Sequence, residues 1–258
     1  MHSENDDVTV FMGADYHIPD LNQFIGTLNT AIGLAEKGKI VTIGIKPSRL
    51  EKRFGYIEPG KEISHTKTTA YEVKAFKEKP DETLAKEYID KGFMWNSGMF
   101  IVKPSVLFEN FQKHMPILYK GLKEIKGANF DHDIAYKIFE PFSKISIDYG
   151  VMEKTDDLVL VKGDFAWDDI GTWDSLDRII ERDNDGNIVQ AEFLGIEAKN
   201  NIIFGGKTII GLGIEDLVII DTEDCLFICP KEKAPEIKKV ISKLEEDITL
   251  RKLLSYKS

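Results

Sequence analysis

Ile40-Val41-Thr42-Ile43-Gly44-Ile45 is the stretch on which the fold turns. Rich in β-branched residues and free of charge, it reads as a strand buried on both faces, the kind that helices cover in α/β proteins. Just before it, Gly38 closes a helix whose apolar residues Phe24, Leu28, Ala31 and Ala35 recur at helical spacing. Asp20 is the expected N-cap of that helix, with Gln23 at its third position. Further upstream, Val8 to Met12 is a second β-prone run, so the chain opens strand, helix, strand. A parallel α/β architecture is expected from that order.

Downstream, a helix is expected from Asp81 to Lys91, with Leu84, Ala85, Tyr88 and Ile89 as its buried stripe and Gly92 as its exit. Met99 to Val102 and residues 157–161 read as strands, residues 104–140 as mainly helical, and a helix is expected to start near Thr172. The main domain is taken as 1–186. It ends in Asp183-Asn184-Asp185-Gly186-Asn187, an ordinary acidic turn, since the ligand spacing of a calcium loop is absent. Residues 187–258 read as a small β appendage, with short β-prone runs alternating with glycines from Ile188 to Pro230. An amphipathic helix carrying Ile237, Val240, Ile241 and Leu244 closes it.

At 258 residues, 42% hydrophobic and 30% charged, the chain is long enough to bury a full core. A net charge of −10 with no basic stripe argues against a nucleic-acid partner. The opening Met1 to Asp7 is polar and acidic, and no apolar run approaches bilayer length, so no membrane association and a cytoplasmic location are expected. Cys225 and Cys229 stand four apart in an apolar run, too far apart on one strand to pair, and read as buried reduced thiols.

Several segments concentrate polar chemistry. Asp15 directly follows the first strand, where ligands of parallel sheets bind, and is a candidate metal ligand, although acidic residues there more often shape turns. Asp168 and Asp169 lie between Trp167 and Trp173 just before a helix, unusual company for plain solvent-facing charges. In Phe76-Lys77-Glu78-Lys79-Pro80 the proline halts strand pairing, leaving Glu78 to grip hydroxyls and Lys79 to meet a phosphate, or the pair to form a solvated charge run. Asn96 in Trp95-Asn96-Ser97-Gly98-Met99-Phe100 needs partners inside an apolar stretch; sugar hydroxyls and a structural loop would serve equally.

Taken together these segments resemble the mannose-1-phosphate guanylyltransferases, within the sugar-1-phosphate nucleotidyltransferases. The resemblance runs through Gly13-Ala14-Asp15 with Ile18-Pro19-Asp20, Thr42 to Pro47, Phe54-Gly55-Tyr56-Ile57-Glu58, Phe76 to Pro80, Trp95 to Phe100, Ser146 to Lys154, and Trp167 to Trp173. It implies a Rossmann-like, glycosyltransferase-A-like mixed α/β sheet with an appendage of left-handed β-helix type. It implies transfer of a guanylyl group from GTP to mannose 1-phosphate, giving GDP-mannose and pyrophosphate. By the same likeness Asp15 and Asp169 hold Mg2+, Asp15, Lys79 and Asp169 are catalytic, and Gly55, Glu78, Asn96 and Asp148 bind the sugar phosphate.

The sequence also departs from the family. The opening strand, glycine-rich nucleotide loop and next two strands expected before Val8 are not found, so an N-terminally truncated domain with exposed central strand edges is expected. A complementing N-terminal chain, or a homodimer through the appendage, is an expected partner. Arg53 stands where the family has glycine, and is expected to narrow the sugar loop or contact phosphate. Two alternatives stay open: a non-catalytic sugar-phosphate-binding or regulatory subunit, and a nucleotidyltransferase for another hexose 1-phosphate.

Overall fold

The computed structural model describes residues 6–63 and 66–254; most of the acidic opening segment lies outside them. In chain order the elements are β1 (Thr9–Phe11), β2 (Tyr16–His17), α1 (Leu21–Ala35), β3 (Ile40–Ile45), β4 (Tyr56–Ile63), β5 (Ala70–Lys77), α2 (Glu82–Asp90) and β6 (Met94–Val102). Next come α3 (Pro104–His114), α4 (Pro116–Gly127), α5 (His132–Phe139), a π-helical turn (Asp148–Met152), β7 (Leu158–Gly163), β8 (Asp168–Asp169) and a 3-10 helix (Trp173–Arg178). Then follow β9 (Ile188–Gln190), β10 (Phe193–Ile196), β11 (Ile202–Phe204), β12 (Ile209–Leu212), β13 (Leu217–Asp221), β14 (Leu226–Pro230) and α6 (Ile237–Glu246). The chain forms two compact units: one of 1–14 and 18–167, the other of 15–17 and 168–258.

The first unit is a mixed sheet in the order β1-β6-β3-β7-β5-β4. Every residue of β3 is buried, as its uncharged composition requires. Its two edges take β7 in parallel and β6 antiparallel, so the parallel sheet expected from the opening order is realised only between β3 and β7. Between β1 and β3 the chain inserts β6, antiparallel to both. Phe100 and Ile101 pair with β1 and β3 at once, and Trp95 pairs with β3 and β4 at once, so β1 and β4 share one edge of β6. Both edges of this strand are therefore occupied, whereas β1, at the end of the sheet order, pairs only with β6 among the described residues and leaves its other edge bare, as expected.

Helix α1 begins as read from sequence, with the Asp20 carboxylate accepting from the Gln23 amide, and packs its buried Ala31, Leu34 and Ala35 toward β3 and β7. The Asp81 carboxylate caps α2 in the same way, but of its expected stripe only Ala85 is fully buried. Leu84 is 39% exposed, because α2 lies over the rim of the sheet next to β4. Ile40, Ile57, Phe76, Met94, Phe100, Leu107, Met152 and Leu160 form the core of the other sheet face, roofed by α3 and the π turn.

In the second unit β9, β11 and β13 stack in parallel and β10 pairs in parallel with β12, a coil in which successive turns repeat one another. Ile188, Ile202 and Val218 stand in register and are fully buried. An asparagine ladder runs beside them. The Asn187 side-chain carbonyl accepts from both the backbone and side-chain amides of Asn201, and the Asn201 carbonyl accepts from the Leu217 amide. At the coil's entrance, the Asp183 carboxylate accepts from the amides of Asp185 and Asn187, the ordinary turn expected there. The helix expected near Thr172 is a short 3-10 turn, and the closing helix starts with a 3-10 turn through Pro235.

The reading of Cys225 and Cys229 as buried is overturned: Cys225 is exposed and Cys229 half-buried, both as free thiols. β14 pairs antiparallel to β13 as the last strand of its sheet, so it alternates outward and inward residues instead of burying both faces. No helix among the described residues is long and apolar enough to cross a membrane. Replacing Asn201 with alanine strips the Leu217 amide of its partner deep in the coil and is expected to cost about 2 kcal/mol or more, read as a lowered urea midpoint.

Candidate functional site

The sheet's geometry concentrates polar groups at one point of the first unit. The Asn96 amide donates to the Gly55 carbonyl at 2.8 Å where β4 joins β6, which brings the loop before β4 against the middle of the sheet. The Asn96 side chain, 8% exposed, is held on three sides: its carbonyl accepts from Thr42 Oγ1 at 2.9 Å and from the Gly98 amide at 3.2 Å, and Nδ2 donates to Asp148 Oδ1 at 3.3 Å. One Nδ2 hydrogen is left over. Structural bonding and ligand binding, posed as alternatives from sequence, are thus compatible in one residue.

Glu78 lies one residue past β5, and its carboxylate is buried to 6% exposure against Gly55. A side chain on Gly55 would place its Cβ 2.6 Å from Glu78 Oε2, so this position must be glycine for the carboxylate to lie there. Glu78 Oε2 has no hydrogen-bond partner, while Oε1 meets Lys79 Nζ at 3.1 Å. Burial, with the nearby Asp148 and Glu153 charges, raises the Glu78 carboxyl above the ordinary glutamate value despite the hydrogen bond from Lys79. The hydrogen bond to Glu78 raises the Lys79 ammonium in turn. Lys79 adopts a positive φ of 45°, an uncommon backbone for lysine, which turns the chain from β5 toward α2. The Glu78 amide is anchored by Glu153 Oε1 at 3.1 Å.

Gly55, Glu78, Asn96 and Asp148 therefore meet in one cluster, with Lys79 attached through Glu78. Sequence reasoning missed Thr42 and Glu153 as members of it. A hydroxyl inside the otherwise apolar β3 run was the available signal for Thr42. It also missed Glu51, whose side chain is 10% exposed and accepts from the Arg53 amide, Nε and Nη2, each at 3.0 Å. Burial would raise Glu51, but the hydrogen bonds from Arg53 outweigh it and hold the carboxyl below its usual range. Arg53 thus braces its own loop through Glu51. Arg49 lies 5.0 Å over the Trp95 ring on the same loop.

The second unit holds the acidic residues. β2 pairs antiparallel with β8, setting Tyr16 opposite Asp169, and the Ile170 amide donates to the Asp15 carbonyl at 2.9 Å. Asp15 and Asp169, from ends of the sequence far apart, are thus brought onto adjoining backbone segments. Asp168 instead takes Arg178 in a two-pronged pair at 2.6 and 2.9 Å. No group of three or more carboxylate, imidazole or thiol side chains forms a closed metal cage among the described residues. Two hard carboxylate donors on adjoining segments fit an ion such as Mg2+, which takes one or two protein carboxylates and completes its shell with water and phosphate oxygens.

This arrangement of sheet, polar cluster and paired acidic segments accompanies a family match over residues 1–186, to the model described as "Nucleotidyl transferase". The chain belongs to the nucleotidyl transferase family. A second model, "MannoseP isomerase/GMP-like beta-helix domain", matches residues 191–244, in agreement with the parallel coil of the second unit. Among curated relatives, a mannose-1-phosphate guanylyltransferase of Escherichia coli is 32% identical over 251 residues, covering 95% of this chain and 54% of its own length. The alginate biosynthesis protein AlgA of Pseudomonas aeruginosa is 33% identical over 246 residues, covering 93% of this chain and 51% of its own. The chain thus spans about half the length of the curated relatives it matches. A crystal structure from Thermus thermophilus, titled mannose-1-phosphate geranyltransferase, superposes with a TM-score of 0.80 at 31% identity, over 93% of this chain and 70% of the other.

A raised carboxyl binds its proton more tightly in the folded than in the unfolded chain. Glu78 therefore stabilises the fold most below the ordinary value of 4.5 and loses that contribution as pH rises through its folded value. Thermal melts from pH 4 upward are expected to show the parent chain losing stability relative to Glu78→Gln across that interval; parallel curves would contradict the burial argument.

Proposed function

We propose that this chain is a cytoplasmic guanylyltransferase that moves the guanylyl group of GTP onto mannose 1-phosphate, producing GDP-mannose and pyrophosphate. The observation that carries this reading is the cluster of Gly55, Glu78, Asn96 and Asp148, whose hydrogen-bonding capacity is incompletely used inside an apolar sheet. In this reading sugar hydroxyls donate to Glu78 Oε2 and accept from the remaining Asn96 Nδ2 hydrogen, while Asp148 holds the Asn96 amide in place. Lys79 is exposed enough to turn from Glu78 to the sugar phosphate, and the Gly55 amide adds a backbone donor. The names of the relatives support mannose and guanylyl as the groups concerned. The free thiols of Cys225 and Cys229 accord with a reducing compartment.

The chemistry makes few demands on protein bases. A phosphate monoester is largely ionised at neutral pH, so its oxygen attacks the α-phosphorus of GTP without a general base. Lys79 neutralises the attacking phosphate, and Asp15 and Asp169 hold the magnesium ion. When bound, that ion supplies charge neutralisation at the nucleotide phosphates. The division of labour follows the domains: 1–186 for the chemistry, and 187–258 for assembly as a homodimer. Two registered pairs of aliphatics on adjoining strands, Leu194 with Ile210 and Ile196 with Leu212, are all more than half exposed and support that contact.

Calorimetric titration of mannose 1-phosphate into the full chain tests the sugar pocket. Asn96→Ala is expected to weaken binding by about tenfold or more, since it removes a buried donor and unpairs Asp148. Glucose 1-phosphate should bind less tightly. Asp169→Asn is expected to leave mannose 1-phosphate binding intact and to raise the magnesium concentration needed for GDP-mannose formation by about tenfold or more. Equal affinity of the parent chain and Asn96→Ala for the sugar phosphate would sink the proposal.

A further inference from the structure

Behind the π turn that carries Asp148, the first unit holds a cavity of about 510 Å³ that the proposed reaction leaves unused. One wall is the turn itself: Gly150 approaches so closely that a Cβ there would lie 2.4 Å from Met115 Sδ. Phe139, Phe142 and Ile145 supply apolar walls, with the Phe139 ring edge-on to Phe142 at 5.4 Å, and Phe139 and Ile145 remain 47% and 53% exposed. Lys144 and Lys154 also line the cavity, and neither has an ion-pair partner among the described residues. In a chain of net charge −10, two unneutralised lysines at one apolar opening form a local exception.

Two further groups favour an anion at this opening. His114 lines the cavity with Nε2 buried and without a hydrogen-bond partner. Burial, with Lys113 and Lys154 close by and outweighing the opposing charge of Asp156, lowers its pKa, and in the tautomer with the proton on Nε2 the neutral ring would donate to an acceptor placed there. Helix α4 starts at the cavity with Pro116 and has no side-chain cap, leaving first-turn amides without intrahelical acceptors. Cations, a buried imidazole nitrogen and a helix start thus line one apolar chamber large enough for a small organic molecule.

We propose that this cavity binds an organic anion: a flat or branched apolar body between Phe139, Phe142 and Ile145, with a carboxylate, sulfonate or phosphate group against Lys144, Lys154 and His114. The site is separate from the sugar pocket, and its test requires no turnover. The probe is 8-anilinonaphthalene-1-sulfonate titrated into the full chain by fluorescence, with its uncharged counterpart N-phenyl-1-naphthylamine as the comparison. Lys154 and Ser143 are exposed, so Lys154→Glu and Ser143→Trp change the rim and mouth without entering the core. Lys154→Glu is expected to weaken the sulfonate probe by about tenfold and leave the uncharged one unchanged. Ser143→Trp is expected to weaken both, with circular dichroism and melting temperature unaltered. Sulfonate binding indifferent to Ser143→Trp, equal losses of both probes in Lys154→Glu, or no saturable binding to folded protein would each overturn the proposal.

Discussion

The first unit depends on β6 being paired along both edges at the level of Trp95 and Asn96. There β3 lies on one side and β4 on the other, and the Asn96 amide reaches the Gly55 carbonyl. That junction fixes the loop before β4 against the sheet, and with it the space in which the Glu78 carboxylate lies. If the pairing slipped by one residue, alternation would turn Asn96 to the opposite face and dissolve its bonds to Thr42, Gly98 and Asp148 together. Strand register, more than any single side chain, makes the polar cluster.

The cluster carries a cost that its surroundings only partly offset. Glu78 is buried beside Asp148 and Glu153, and a single lysine balances three carboxylates. Such an arrangement is poor for stability and good for binding, because desolvated groups with unused bonding capacity interact strongly with a ligand that supplies the complement. The second unit is built the opposite way. Its stacked isoleucines and asparagine ladder leave the interior amides satisfied, and Asp168 is committed to Arg178. It is a scaffold, while β2 and β8 hold Asp15 and Asp169 on its margin.

The loop from Arg49 to Phe54 holds its two arginines against its own buried carboxylate. Arg53 adds a long cation beside Phe54 and Gly55, and the fold turns it back onto the buried Glu51. Arg49, also within reach of Glu51, lies over Trp95. Phe54 packs edge-on against Trp95 and against Trp167, so the brace acts on the residue next to Gly55. Charge, stacking and the glycine turn thus form one continuous support.

The sequence by itself determined the elements whose causes are local. The β-branched run at Ile40–Ile45, the Asp20 cap and the acidic turn at Asp183 each follow from neighbours within a few residues, and each has the form expected. The family resemblance, not the residues read one by one, grouped Gly55, Glu78, Asn96 and Asp148. Only the tertiary structure decided the rest. β6 inserts between β1 and β3, so the parallel sheet became a mixed one; β14 ends its sheet, so its cysteines did not bury; Thr42 and Glu153 joined the site through pairings with distant residues. The physical reason is common to all three. Which strand lies beside which, and which face is roofed, depends on contacts between segments tens of residues apart, and hydrophobic periodicity within one segment holds no record of its neighbour.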